Sequence, residues 1–339
     1  MPIVKTLIAD TFGTHIGKYS QRLKITQNKA VLAQAPLLHL ESLHILSRGV
    51  SISTDALEAC CERGIPVYFL DTRGTPYASI YAGGLVGTVL TRREQLRAYD
   101  DWRGVQLSLD IAAAKILNQS ITLKYLAKTR KETATGEELR LLALDVKDYL
   151  RDLEAISGQH VDQVREPLMV IEASAAKRYW HAARLIVPDT YHWGKREGRG
   201  ATDPVNSLLN YGYGILYGTV ERALVQAGLD PFAGFIHADR PGKPSLTLDF
   251  IEEFRQVAVD RVVFGLAARQ FNVEQDDKGM MTDATRRAFA DHILTHLEAK
   301  MRYQGQRFPM NNIIQIQARQ LASFLRGDAP SYIPYRAEW

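Results

Sequence analysis

The stretch FIHADRPGKPSLTLDFIEEFRQ, residues 235–256, places one histidine shortly before an amphipathic helix with an acidic side. Apolar residues recur every three or four positions, which predicts one buried stripe made of Leu248, Ile251, Phe254, Ala258 and Val262. The opposite side carries Asp249, Glu252, Glu253 and Gln256. Like charges at this spacing repel one another weakly, and either a bound cation or water would offset that repulsion. The pattern therefore indicates a divalent metal site near His237, or else an ordinary solvated helix surface.

A second acid, Glu172, lies inside the predicted helix EPLMVIEASAAKRYWHAARL, residues 166–185. Glu166 and Pro167 predict the start of this helix, because proline is favoured in the first turn and an acid is favourable near the N-terminus. The neighbours of Glu172 at helical spacing are otherwise apolar or small, namely Leu168, Met169, Ala175, Ala176 and Tyr179. A carboxylate buried on such a face must be paired, neutralised or bound to a metal. We expect either a metal ligand or an ion pair with a distant arginine.

Length and composition limit the possible classes of protein. A chain of 339 residues with 46% hydrophobic content can bury a large core and favours two domains. It has no apolar run of about 18 residues, and MPIVKTLIADTFG lacks the apolar centre of a secretory signal, so we expect a cytoplasmic protein without a membrane partner. Cys60 and Cys61 are adjacent and have no CxxC partner, which argues against a zinc site. The net charge of +4 permits a polyanionic partner without requiring one.

The sequence pattern changes near residue 85. Before it, the short runs LKIT, AVLAQA, GVSIS, IPVYFL and YASIYA alternate with turn residues and predict a small β domain over residues 1–85. One helix in this domain would begin at Ser53 or Thr54 and end at Gly64. The glycine-rich YAGGLVGTVL, residues 81–90, is the predicted joint. From Thr91 onward the spacing is helical almost to the end, so the predicted fold is α+β: a β-sandwich-like N-terminal domain and an all-α C-terminal domain over residues 86–339.

One predicted helix, DPVNSLLNYGYGILYGTVERALVQAGLD, residues 203–230, has clear boundaries. Asp203 can cap it, Pro204 takes the first position and Gly228 closes it. Three glycines inside it, Gly212, Gly214 and Gly218, lower helix propensity and so predict close approach of another backbone. The loop before it, YHWGKREGRGAT, residues 191–202, is basic, which suits either a solvated loop or contacts with phosphate.

Five segments in order resemble the family of CRISPR-associated spacer-acquisition integrases. They are ISTDALEACCERGIPVYFLDTRGTPYA, EASAAKRYW, DPVNSLLNYGYGILYG, GLDPFAGFIHADRPGKPSLTLDFIEEFR and IQARQLASFLRGDAPSYIPY, which together extend over most of the chain. The resemblance implies a DNA endonuclease and integrase whose helical domain holds one Mg²⁺ or Mn²⁺ ion. It also implies a homodimer formed through the β domain, double-stranded DNA as substrate, and the small second CRISPR-associated adaptation protein as partner.

Carried over by motif, the implied metal ligands are Glu172, His237 and Glu252. Asp249 matches a further acid of the family site, and we expect this residue or a bound water to handle protons. Two carboxylates and an imidazole suit Mn²⁺, and Mg²⁺ if several waters remain bound. The implied reaction is attack of a DNA 3′ hydroxyl, or of water, on a phosphodiester, with the metal polarising the phosphoryl oxygen.

The implied DNA contacts are mostly to phosphate. Candidate residues are Lys195, Arg196, Arg199, Asn206, Tyr213, Lys243 and Arg255. Lys243 replaces an arginine that is common in the family, and Arg255 matches a position that is often basic. Two other functions also fit the residues: a non-enzymatic scaffold that bridges DNA, and a metal-dependent phosphodiesterase that acts on small substrates.

Overall fold

The computed structural model describes residues 4–71, 74, 76–80, 89–198 and 200–338. The chain divides into two compact units. The first comprises Met1–Leu85 together with Glu274–Arg287, and the second comprises Val86–Val273 together with Ala288–Trp339. The first unit thus includes Glu274–Arg287, a segment that was predicted to belong to the helical domain. Residues 81–88, which contain most of the predicted joint, lie outside the described residues.

The first unit contains two four-stranded sheets around one apolar core. One sheet has the order β1 (Thr6–Ala9), β5 (Ser42–Ile45), β7 (Val67–Leu70) and β8 (Pro76–Ile80). The other has the order β4 (Ala30–Pro36), β3 (Arg22–Gln27), β2 (His15–Tyr19) and β6 (Ser51–Ile52). Inward residues of both sheets, such as Leu23 and Leu43, are fully buried together. The structure confirms the predicted N-terminal β domain, and each of the five predicted runs contains a strand.

The helix predicted for the β domain begins and ends close to the predicted residues. Helix α1 (Thr54–Glu62) has Ser53 as its N-cap residue. Gly64 follows it with φ of +63°, a conformation that glycine adopts without the steric cost met by other residues. Alanine and cysteine side chains of α1, including Cys60, lie in the core between the sheets.

The second unit is mainly helical. Its helices are α2 (Val89–Ala98), α3 (Trp102–Lys128), α4 (Ala134–Glu154), α5 (Val161–Arg184), α6 (Pro204–Gln226), α7 (Ser245–Phe250), α8 (Arg261–Ala268), α9 (Asp283–Glu298) and α10 (Met310–Arg326), with α9 beginning in the segment assigned to the first unit. Helices α3, α4 and α5 pack against one another. Among the described residues, none of the helices is both long and apolar enough to cross a bilayer.

Two predictions for this unit were wrong in detail. A β-hairpin, β9 (Lys300–Tyr303) and β10 (Gln306–Pro309), interrupts the region predicted to be all-helical. Helix α5 begins at Val161, so Pro167 lies inside it and does not start it. Val161 and Val164 are fully buried, and their burial offsets the helical hydrogen bond that Pro167 cannot donate.

The boundaries of α6 confirm the prediction. The Asp203 carboxylate accepts the backbone N–H of Asn206 at 2.9 Å, Pro204 is the first residue, and Gly228 follows the helix with φ of +84°. A Cβ atom added to Gly212 would lie 2.6 Å from Val259 Cγ1, so this glycine allows another segment to approach closely. That segment is Gln256–Asp260, which packs against α6.

The predicted amphipathic helix after residue 245 is not a continuous α-helix. After α7 the chain forms a 3-10 turn, Ile251–Glu253, and then a π-helical turn, Gln256–Asp260, before α8. The polar side, for which the sequence left either a metal site or a solvated surface open, is buried, because the segment packs between α3 and α6. This central segment, residues 245–268, carries Asp249, Glu252, Glu253 and Asp260 into the interior, where each needs its own partner.

Candidate functional site

Lys115 joins two of the predicted site acids. Its ammonium group, on α3, forms an ion pair with Glu172 Oε1 on α5 and lies 2.7 Å from Glu252 Oε2 in the 3-10 turn. The side chains of Lys115, Glu172 and Glu252 are 11%, 19% and 4% exposed, respectively. Burial lowers the pKa of Lys115, but Glu252 and Glu172 raise it above its ordinary value, so the side chain is charged at neutral pH. The structure thus brings together carboxylates that are 80 positions apart in sequence.

Glu252 is held between two cations. Arg255 Nη1 lies 2.6 Å from Glu252 Oε1, while Lys115 lies on the other oxygen. Burial alone would raise the pKa of Glu252, but the charges of Arg255 and Lys115, with a smaller effect of His237, lower it to about 2. Glu252 Oε2 is buried and accepts no hydrogen bond, because Lys115 approaches it within ion-pair distance but not in hydrogen-bond geometry. A metal ion at this oxygen would therefore have to replace the Lys115 ammonium.

Asp249 positions His237. Its Oδ2 accepts the backbone N–H groups of Phe235 and Ile236 at 2.6 and 3.0 Å. Its Oδ1 accepts the backbone N–H of His237 at 2.9 Å and lies 2.7 Å from Nδ1 of the same residue. Asp249 is fully buried, and four donors surround its carboxylate. This geometry assigns Nδ1–H to the Asp249 hydrogen bond, leaves Nε2 as the lone-pair nitrogen of His237, and favours an orienting role for Asp249 over the predicted proton handling.

Glu253, the acid next to Glu252, faces a different part of the chain. Its carboxylate accepts the Tyr332 hydroxyl at 2.7 Å and the backbone N–H of Tyr335 at 2.8 Å. Burial raises the pKa of Glu253 to about 8, although these two hydrogen bonds act in the opposite direction. Asn118 donates to the carbonyl of Glu253 at 2.8 Å and to that of Tyr335 at 2.9 Å. Glu253 is therefore a structural residue that anchors the C-terminal residues to the central segment.

Arg255 also contacts Tyr213, which belongs to a buried group of tyrosines around Asp260. Its guanidinium lies 4.9 Å from the centre of the Tyr213 ring. The hydroxyls of Tyr213 and Tyr179 both donate to the buried carboxylate of Asp260. Burial raises the pKa of Asp260 to about 6, against the effect of the two tyrosines. Tyr213 is thus an interior residue with its hydroxyl occupied, which does not favour the predicted direct contact with DNA.

The basic loop before α6 is fixed by Asn206. The amide of this buried residue donates to the Lys195 carbonyl at 2.8 Å and to Asp203, and its oxygen accepts the backbone N–H of Glu197 at 3.0 Å. Arg196 donates to Asn206 at 3.1 Å and to Asn210 at 2.7 Å. Asn206 therefore holds the loop, and every polar atom of its amide is engaged.

The remaining candidate DNA contacts differ in how they are placed. Lys195 is exposed, with Glu197 3.2 Å away, whereas Arg196 is half-buried over the rings of Trp180 and Tyr213 at 5.8 and 5.4 Å. Lys243 is half-buried in the loop before α7. Arg199 lies outside the described residues. Arg255, since it pairs with Glu252, is part of the acidic site itself.

The site contains donor atoms that suit a metal ion, but these atoms are not arranged as a ligand cluster. Among the described residues, no three His, Cys, Asp or Glu side chains are arranged to hold an ion as they stand. Glu172 and Glu252 are held together by the ammonium of Lys115, and His237 lies near enough to affect the pKa of Glu252. Carboxylate oxygens and one imidazole nitrogen are donors that Mn²⁺ and Mg²⁺ accept. The donor set therefore fits such an ion, with Lys115 as a competing cation.

Sequence reasoning missed Lys115 and Asp260. Lys115 stands in the apolar run DIAAAKIL, residues 110–117, where a lysine on a buried helix face already requires a partner. Asp260 follows the apolar run VAV, residues 257–259, and carries the same signal. Both could have been found as isolated charges among buried positions, although their partners could not.

Comparison with known families gives one match that extends over most of the chain. The family described as CRISPR associated protein Cas1 matches residues 7–294. The CRISPR-associated endonuclease Cas1 1 of Archaeoglobus fulgidus is 36% identical over 335 residues, covering 95% of this chain and 96% of the relative. A protein of the same description from Francisella tularensis subsp. novicida is 33% identical over 339 residues, covering 99% of this chain and 100% of the relative.

Solved structures share the fold at lower identity. A casposase bound to its integration product has a TM-score of 0.84 at 20% identity, covering 99% of this chain and 95% of that chain. A CAS1 protein from Thermotoga maritima has a TM-score of 0.80 at 20% identity, covering 98% of this chain and 100% of that chain. The N-terminal β region of this chain and the helical region that follows it match the fold of the Thermotoga maritima protein.

Proposed function

The chain belongs to the family of CRISPR associated protein Cas1, and from this premise we propose that it is a metal-dependent DNA endonuclease and integrase that joins short duplexes into a CRISPR array. The proposal follows the two relatives above, which are described as endonucleases. One observation of the structure carries it furthest. Glu172 and Glu252, from different helical elements, converge on one ammonium group, and His237, whose ring is already oriented, lies near enough to lower the pKa of Glu252.

In the proposed site, Glu172, Glu252 and Nε2 of His237 would hold one Mg²⁺ or Mn²⁺ ion. When bound, the ion would polarise a phosphoryl oxygen and help orient the attacking and leaving oxygens. Asp249 keeps the His237 ring in one orientation through Nδ1, because a ring that rotated freely would lose affinity as a ligand. Arg255 keeps Glu252 ionised, so that this carboxylate is ready to bind a cation at any physiological pH.

Asp249 is not proposed as the general base for the nucleophile. The two oxygens of the Asp249 carboxylate already accept four hydrogen bonds, so a further proton on this carboxylate would break at least one of these hydrogen bonds. We propose instead that a water at the site, or the phosphate group itself, takes the proton of the attacking hydroxyl. Asp249 then affects the rate through His237 only.

DNA binding by this unit is proposed to use the exposed charge of the loop before α6. Lys195 is exposed there, and Arg196 is fixed by Asn206 and Asn210 on the faces of two aromatic rings. Charges held in this way contact phosphate rather than bases, so we expect binding that depends on salt more than on sequence. Asn206 and Tyr213 contribute by holding other residues.

A homodimer through the first unit is part of the proposal. Strand β4 lies at the edge of its sheet and presents Val31 and Leu32, which are each 50% exposed. Apolar side chains on an unpaired edge favour association with another chain. Sedimentation or light scattering should give the mass of two chains, and Leu32→Asp should shift it toward one chain.

The function is tested by a strand-transfer assay with purified protein, a labelled short duplex and a supercoiled plasmid that carries the array. Glu172→Gln should abolish joining in Mg²⁺ and in Mn²⁺ while the affinity for the duplex persists. Glu166→Gln, an exposed change on the same helix, should leave joining intact. Joining that survives in Glu172→Gln, or that persists in a chelator, would contradict the proposed function.

The same experiment separates the two other functions. A non-enzymatic scaffold would bind the duplex equally well in chelator and would form no joined product with any metal. A phosphodiesterase for small substrates would hydrolyse bis-p-nitrophenyl phosphate at a rate that long DNA does not increase. We expect joined products in the array-bearing plasmid and a preference for DNA over the small ester.

A further inference from the structure

We propose that Lys115 acts as a built-in counter-ion of the acidic site, which holds Glu172 and Glu252 together in the metal-free protein and which a divalent ion must displace. The inference rests on the proposed function, because it assumes that these carboxylates are metal ligands. It adds a residue outside the expected ligand set and gives that residue a measurable effect on metal affinity.

The charges of the two proposed carboxylate ligands are balanced without a metal. The carboxylates of Glu172, which is partly buried, and Glu252, which is buried, face the ammonium of Lys115 and the guanidinium of Arg255. Two negative charges therefore meet two positive charges. A divalent ion added to this arrangement would leave an excess of two positive charges in a buried site, which is strongly unfavourable. One cation must move away when the ion binds.

Lys115 is the cation that can move. Its ammonium is a compact charge at the end of a flexible stem with four carbons, and it contacts both carboxylates that the ion would need. Arg255 contacts Glu252 on Oε1, which is not the oxygen that Lys115 approaches, and its guanidinium is also held over the Tyr213 ring. Binding of an ion between Glu172 and Glu252 therefore competes directly with Lys115 and leaves Arg255 in place.

Lys115 also links three separate elements of the fold. Helix α3 carries the lysine, α5 carries Glu172, and the 3-10 turn carries Glu252. If the lysine were absent, two carboxylates of like charge would face each other in a buried site with only Arg255 to neutralise them. The stability of the protein would then depend on a metal ion more than that of the natural protein does.

The experiment measures Mn²⁺ binding and thermal unfolding, without DNA, in the natural protein and in Lys115→Met. Mn²⁺ binding is followed by calorimetry and by the electron paramagnetic resonance of free Mn²⁺. We expect Lys115→Met to bind Mn²⁺ about tenfold more tightly, because loss of a charged competitor is worth roughly one decade in affinity. In chelator the variant should unfold at a lower temperature than the natural protein, and Mn²⁺ should raise its unfolding temperature by more.

Lys177→Met is the matched control. Lys177 is an exposed lysine on α5 and forms no ion pair within the described part of the chain. This variant also removes one positive charge, but that charge is not paired with Glu172 or Glu252. We therefore expect Mn²⁺ affinity and the effect of chelator to stay unchanged. If it tightened Mn²⁺ binding as much as Lys115→Met, the effect would be one of net charge and the proposal would be overturned.

A second variant keeps the test valid if Lys115→Met folds poorly. Lys115→Met combined with Glu172→Gln removes one charge of each sign, so it should recover stability in chelator and lose Mn²⁺ binding. Equal Mn²⁺ affinity in the natural protein and Lys115→Met would overturn the inference while leaving the metal site intact. Absence of Mn²⁺ binding in both, with folded protein, would overturn the metal site of the proposed function and the inference with it.

Discussion

Asp249 Oδ1 lies 2.7 Å from Nδ1 of His237 and also accepts the backbone N–H of the same residue at 2.9 Å. One carboxylate thus fixes both the main chain and the ring of the histidine. The contact gives this fully buried acid an orienting role in the proposed site. A hydrogen bond of this kind fixes which ring nitrogen is free to bind a metal.

Asp249→Asn should lower strand-transfer activity about 10- to 100-fold and weaken Mn²⁺ binding by a similar factor, since the ring of His237 loses its orienting partner. The amide offers one acceptor oxygen in place of two, so at least one buried backbone N–H is left unpaired. The free energy of unfolding should fall by about 1–3 kcal/mol in urea denaturation. Asp239→Asn, an exposed change in the same loop, is the control and should alter none of these values. Unchanged Mn²⁺ affinity in folded Asp249→Asn would contradict the orienting role.

Glu253 should make the stability of the protein depend on pH. Its pKa is raised from 4.5 in the unfolded chain to about 8 in the folded protein. Its contribution to stability is therefore fully present below pH 4.5 and is lost as the pH rises through 8. Glu253→Gln imitates the protonated side chain, so it should reduce the loss of stability between these two values. Urea denaturation at several pH values measures this, and an unchanged slope in the variant would show that Glu253 is not the group involved.

Arg255→Ala should destabilise the protein, because it leaves buried Glu252 with Lys115 as its remaining ion-pair partner. Removal of one partner from a buried pair costs about 3–5 kcal/mol, and we expect a loss near the lower value. Arg151→Ala is the control, since Arg151 and Asp148 form an exposed pair at 3.9 Å whose loss should cost less than about 1 kcal/mol. Denaturant midpoints for the two variants measure the difference. Equal midpoints would mean that the pair with Glu252 contributes no more than a surface pair.

Gly212→Ala should weaken the packing of α6 against the π-helical turn. The added Cβ would lie 2.6 Å from Val259 Cγ1, which is closer than real contacts allow. Overpacking of this kind costs about 1–3 kcal/mol, and a shift of the turn should also lower activity through Arg255 and Glu252. Val259→Ala in the same chain should restore part of the loss, because it removes the opposing methyl groups. If the double variant were no more stable than Gly212→Ala, the contact with Val259 would not be the cause.

The sequence predicted elements best where local chemistry determines them. The strands of the first unit and the limits of α6 follow from turn residues, a capping aspartate and glycines, all of which act within a few positions. The start of α5 was missed for the opposite reason. The burial of Val161 and Val164 depends on distant parts of the chain, and it outweighs the local preference of Pro167 for a first turn.

The acids of the central segment show where periodicity stops being informative. Asp249, Glu252 and Glu253 were predicted to share one face, and each has a different partner in the structure. The 3-10 and π-helical turns alter the angle between successive residues, so the spacing of an ideal α-helix does not apply. The convergence of Glu172 and Glu252 on Lys115 depends on three-dimensional packing, so the sequence pattern could not predict it. Glu172 and Glu252 were identified as ligands of one ion from the resemblance to a family.

The hydrogen bonds from Tyr332 and Tyr335 to Glu253 have a consequence for synthesis of the protein. A nascent chain that has not yet exposed these residues has a buried carboxylate without donors and an Asn118 amide without two of its three partners. The segment that carries Glu252 can therefore reach its final packing only after Tyr332 and Tyr335 have folded against Glu253.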